Sequence, residues 1–144
     1  MFLHKCRRLF RIACPIRTGA VSLPTIAYSG SHEPWIDRAA LIRDQRKILD
    51  MAATSWLSFR EFNGLLVYYT HLMSYRCAIR EVRVGIDSAV PEKMLKMPPC
   101  DPRDPSDIPH DSQPYLKLAP STQFVSVELT YRDGSVSEIK SFRR

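Results

Sequence analysis

Five cations, Lys5, Arg7, Arg8, Arg11 and Arg17, stand in the first 32 residues with no Asp or Glu among them; the first acid is Glu33. Residues of this type and density suit polyanion contact, because each cation that meets a phosphate releases a condensed counterion. Arg143 and Arg144 form a second, smaller basic group suited to the same contact. In the arm, Phe2, Cys6, Leu9, Phe10 and Ala13 fall at helical spacing between the cations, and Ser and Thr follow in place of acids. A basic, acid-free amphipathic segment is the pattern of a mitochondrial targeting sequence, whereas Arg7, Arg8 and Arg11 interrupt the unbroken apolar stretch that a secretory signal requires. The expected location is the mitochondrial matrix.

The opposite charge gathers in Asp101-Pro-Arg-Asp-Pro-Ser-Asp107. In a polyproline II helix, with three residues per turn, Asp101, Asp104 and Asp107 would share one edge that a basic partner surface could read. A calcium loop would also need carbonyls and a closing bidentate Glu, and the next Glu is Glu128. Cys6, Cys14, Cys77 and Cys100 form no C-x-x-C pair, so neither a disulfide framework nor a zinc site is expected, and the thiols read as buried or tolerated. No metal or cofactor is therefore expected.

Motifs that declare an enzyme are missing from the sequence: a Gly-rich phosphate loop, G-x-S-x-G, H-E-x-x-H and the dinucleotide fingerprint. The five glycines are too dispersed for a phosphate cradle. His4, His32, His71 and His110 fall in four different segments, and His71 reads as a hydrogen-bonded residue on a helix face rather than a base. The chain reads as non-catalytic, with no small-molecule substrate.

The elements that would position these groups follow from periodicity. At 144 residues the chain fits one domain plus an arm. Beyond residue 32 it holds 16 basic and 15 acidic residues, so the body is near neutral. After the arm and connector (1–32), Pro34 opens a helix in which Trp35, Ala39, Ile42, Leu49, Ala52 and Trp56 line one face. Ser58-Phe59-Arg60-Glu61 has the form of a capping box for a second helix, whose stripe runs Phe59, Phe62, Leu65, Leu66, Tyr69, Leu72, Met73 and Cys77. Arg80–Asp87 alternates as a half-buried strand and closes the part spanning 33–90. Eight prolines between Pro91 and Pro120 make 91–120 an irregular strap. In 121–144, Val125, Val127, Leu129 and Tyr131 alternate, Asp133-Gly134 turns the chain and Val136–Phe142 returns as a β-hairpin. A two-residue turn would set Tyr131 opposite Val136 and Val125 opposite Phe142; a bulged three-residue loop would set Leu129 opposite Ile139.

The expected fold class is α+β: two amphipathic helices packed on a small, largely antiparallel three-stranded sheet, with the basic arm and the Pro-rich strap. The run Leu57–Tyr75 contains Arg60, Glu61, Asn63 and His71, so no membrane span is expected. This layout resembles that of accessory proteins of large mitochondrial assemblies. The expectation is a mitochondrial ribosomal protein whose arm contacts rRNA and whose body meets neighbouring ribosomal proteins. The alternative is a non-catalytic accessory subunit of a respiratory-chain complex or ATP synthase on the matrix face, with Phe2, Leu3, Leu9 and Phe10 at the membrane interface.

Overall fold

The computed structural model describes residues 36–144. The arm, with Lys5, Arg7, Arg8, Arg11 and Arg17, lies outside the described residues.

Helix α1 (Arg38–Met51) begins where Asp37 accepts from the Ala40 amide at 3.0 Å, an N-cap that satisfies one of the donors the helix start leaves free. Leu49 and Gln45 are its buried residues. The helix ends before the 3₁₀ turn Ala53–Ser55, and Trp56, 2 % exposed, donates its indole N–H back to the Leu49 carbonyl at 3.0 Å. The end of α1 is thus held by a core residue.

The second long helix is not formed. Ser58–Glu61 is strand β1, Leu65–Tyr68 is β2, and only Thr70–Ser74 is helical, as the five-residue α2. The reversal comes at Asn63-Gly64, where φ is 49° and 120°. Asn-Gly is the dipeptide that accepts two successive positive φ values, and it overrides the apparent capping box. Leu65, Leu66 and Val67 are all buried in succession, as befits a central strand covered on both faces. Antiparallel pairing of Tyr115–Leu118 (β5) along β2 completes a three-stranded sheet, β1-β2-β5.

A second sheet of four antiparallel strands contributes eight of the eighteen buried core residues. Its order is β4-β3-β6-β7, with β3 at Ile79–Ile86, β4 at Lys93–Leu95, β6 at Phe124–Tyr131 and β7 at Lys140–Arg143. A 3₁₀ turn, Arg76–Ala78, leads into β3. Val82 and Val84 face Leu129 and Val127, and all four are at most 1 % exposed. Gly85 sits where a Cβ would lie 2.5 Å from the Ser126 hydroxyl and 2.6 Å from the Val90 carbonyl, so the close approach of the turn after β3 requires its missing side chain.

The α+β class holds, but in place of one three-stranded sheet with two long helices the described residues form two antiparallel sheets, one long α-helix and one short. The strap is not wholly irregular either, since β4 and β5 fall within 91–120. Both lie in proline-free stretches and at sheet edges, where neighbouring prolines cost no ladder bond. In the hairpin, Val125 does stand opposite Phe142. Near the turn, however, Thr130 pairs with Val136 and the Ser137 amide donates to Leu129, so neither the Tyr131–Val136 nor the Leu129–Ile139 pairing is formed. Gly134, at φ 86°, ends a three-residue loop closed by the Tyr131 amide on the Ser135 carbonyl at 2.9 Å.

Candidate functional site

Besides the pairing of β4 with β3 and of β5 with β2, the stretch 99–107 of the strap is tied to the body by two adjacent residues, Cys77 and Arg76. Cys77 and Cys100 form a disulfide across 23 residues of sequence, which corrects the reading of both as free thiols. Their spacing gave no sign of pairing because the contact is made by the chain's return after β4, a tertiary event. Beside it, Arg76 is 3 % exposed and donates to four backbone carbonyls: Pro99 at 2.8 Å, Met73 at 3.0 Å, Pro105 at 3.3 Å and Asp107 at 2.6 Å. A guanidinium offers five donors in a planar fork, and carbonyl dipoles converge here on its charge.

That clamp decides the geometry of the acidic segment. Asp101 accepts from the Arg103 amide at 2.9 Å, and the Asp107 amide donates to the Asp104 carbonyl at 3.3 Å. The chain therefore bends and turns through 102–106, and the polyproline II edge expected to align Asp101, Asp104 and Asp107 is not formed. All three residues are exposed, while the Asp107 carbonyl is taken by Arg76.

A second polar cluster docks α1 on the hairpin. Arg46 donates through Nη1 to Asp133 at 2.5 Å and to the Ser135 hydroxyl at 2.7 Å, with its guanidinium 4.1 Å from the Tyr131 ring centre. The Tyr131 hydroxyl donates to Asp50 at 2.7 Å. Burial, then the Asp50 hydrogen bond, push the Tyr131 phenol well above its ordinary range. The Ser135 hydroxyl and amide hold the exposed Asp133 carboxyl below its usual range. Tyr131 thus stays protonated and serves as a donor. These are connecting interactions, and the cation stacked on the ring adds to them.

His71 is partly buried, and burial lowers its pKa, favouring the neutral ring at pH 7. Its Nε2 has no hydrogen-bond partner among the described residues, contrary to the expected hydrogen-bonded state, and the ring stands edge-on to Tyr75 at 4.9 Å. Among the described residues no group of three His, Cys, Asp or Glu could hold a metal, and no helix is long and apolar enough to cross a membrane.

The basic residues Arg143 and Arg144 lie at the end of β7, beside an open groove of about 610 Å³. Leu57, Phe59 and Phe142 give it an apolar floor, and Lys140 joins the two arginines on its wall. Arg144 pairs with Glu61 and donates to the Pro120 carbonyl at 2.9 Å; Arg143 lies 5.7 Å from the Phe124 ring centre. The structure therefore brings Arg143 and Arg144 together with Lys140, but not with the acidic strap residues of the clamp. Periodicity missed Arg76, Cys77–Cys100 and the Arg46–Tyr131 pair. The only signal for the first was an arginine in the apolar run Leu72–Ile79.

No protein-family model matches the chain, and no curated protein or solved structure shows significant similarity to it.

Proposed function

We propose that the chain is a structural accessory protein of a large mitochondrial assembly, acting in the matrix as a mitochondrial ribosomal protein. In this reading Lys5, Arg7, Arg8, Arg11 and Arg17 lie along rRNA phosphates, and the near-neutral body docks on neighbouring ribosomal proteins. One observation carries it: five cations and no acid in the first 32 residues, against 16 cations and 15 acids in the remainder. That separation of charge concentrates phosphate contact in the arm. Arg143 at the end of β7 and Arg144 just beyond it, both exposed, extend the basic surface to the body.

The Cys77–Cys100 bond favours a second reading. Disulfides persist in oxidising compartments and are rare where thioredoxin and glutathione keep thiols reduced. It supports an accessory subunit of a respiratory-chain complex or ATP synthase on a face where thiols are oxidised, rather than on the matrix face.

Sedimentation of mitochondrial lysate with and without RNase separates the two. Co-migration with a ribosomal subunit, abolished by RNase, is the expected result of the first. Migration with a detergent-solubilised respiratory complex, indifferent to RNase, supports the second and overturns the first.

A further inference from the structure

Among the described residues strand β7 pairs only with β6, so one of its edges carries backbone groups unpaired within them. The register identifies them. Phe142 stands opposite Val125 and Lys140 opposite Val127, and the Arg144 amide donates to the Gln123 carbonyl at 3.2 Å. In an antiparallel pair, backbone groups alternate between facing the partner strand and facing away. Lys140, Phe142 and Arg144 therefore turn theirs toward β6, while Ser141 and Arg143 turn theirs outward. Among the described residues strand β1 pairs only with β2, and Ser58 and Phe59 line the same groove.

We propose that this groove takes up an extended acidic segment of a partner protein by strand addition to β7. Main-chain bonds to Ser141 and Arg143 would supply register, and alternate side chains would supply specificity. On one face, apolar side chains of the incoming strand meet Leu57, Phe59 and Phe142. On the other, acidic side chains of the incoming strand meet Arg143, which has no carboxylate partner among the described residues, only the Phe124 ring. The groove is lined by the side chains of Lys140, Arg143 and Arg144 and by no Asp or Glu, so charge selects an acidic occupant. The pairs Lys140–Glu138 and Arg144–Glu61 are solvent-exposed, Glu138 to 86 % and Glu61 to 64 %, and exposed pairs exchange partners at little cost. A second copy of the chain does not fit: its arm is basic, and its acidic segment 101–107 carries Pro102 and Pro105, which cannot donate to a ladder. The inference does not depend on which assembly the chain joins, but it gives Arg143 and Arg144 to a partner protein and leaves phosphate contact to the arm.

The test pans a phage-displayed random heptapeptide library against the full 144-residue chain and measures selected peptides by fluorescence anisotropy. Enrichment of sequences alternating acidic and apolar residues, free of internal proline, is expected. Ser141→Pro removes only an outward-facing N–H, which an edge strand tolerates, and should weaken the selected peptides at least tenfold with the unfolding midpoint retained. Arg143→Gln should weaken them about fivefold and flatten their salt dependence. No enrichment, enrichment of non-acidic peptides, or equal binding by Ser141→Pro overturns the proposal. So does binding of a uridine 15-mer that Arg143→Gln abolishes and Ser141→Pro leaves unchanged, since that pattern assigns the groove to RNA phosphate.

Discussion

The guanidinium of Arg76 joins points of the chain that sequence keeps far apart. It donates to Met73 before the 3₁₀ turn, to Pro99 before the acidic segment, and to Pro105 and Asp107 within it. Substituting Arg76→Met keeps the aliphatic stem and removes every donor, leaving carbonyls in need of partners. Hydrogen bonds from a charged donor contribute about 1.5–3 kcal/mol each when their loss strands a buried partner. Because water can reach part of the strap, we expect a net loss of about 2–4 kcal/mol, read from urea unfolding, with faster proteolysis within 101–113. An unchanged midpoint and cleavage rate would show that the disulfide and the flanking strand pairings fix the strap without Arg76. His71 gives a prediction of a different sign. Its folded-state pKa is depressed by burial, so below about pH 6.5 the unfolded chain binds the proton more readily than the folded one. Stability should therefore fall as the pH drops from 7 toward 5, and His71→Phe should flatten that slope. A slope identical in the variant would place the titration elsewhere.

At the scale of elements, the two-residue period was legible and the helical one misled. Val82 and Val84 in β3, and Val125, Val127, Leu129 and Tyr131 in β6, were readable because burial on one face of a strand imposes strict alternation. The segment 58–77 shows apolar residues at helical spacing, yet β2 is buried on both faces and its run Leu65-Leu66-Val67 fits either period. Asn63-Gly64 held the deciding information, and its weight as a turn exceeds that of a capping box formed by surface residues Ser58 and Glu61. Gly64→Ala tests this: at φ 120° an alanine is strained, and the substitution should cost about 1–3 kcal/mol. Were the segment helical, the same change would stabilise it by about 1 kcal/mol. The basic groove could not be read at all, because it forms between β7 and β1, strands from opposite ends of the described chain that meet only through tertiary packing.

The Cys77–Cys100 link ties the element pattern to the whole molecule, since it fixes the strap against the entry to β3. Closing a loop of 23 residues in the unfolded chain removes conformational entropy equivalent to about 3 kcal/mol. Four cysteines without a close pair gave no basis for choosing this one among the possible pairings, and the matrix address argued against any. The prediction is therefore thermodynamic and independent of address. Dithiothreitol should lower the thermal midpoint by roughly 10 °C, taking about 4 °C or somewhat less per kcal/mol for a unit of this size. The double variant Cys77→Ser/Cys100→Ser should melt at that lower temperature with no further response to reductant. Scanning calorimetry of both proteins, each with and without dithiothreitol, checks this. A wild-type midpoint indifferent to reductant, in protein shown by maleimide labelling to have been reduced, would mean that Arg76 and the pairings of β4 and β5 hold the strap without the bond. The strap would then keep its shape in a reducing compartment, removing the stability objection to the matrix reading.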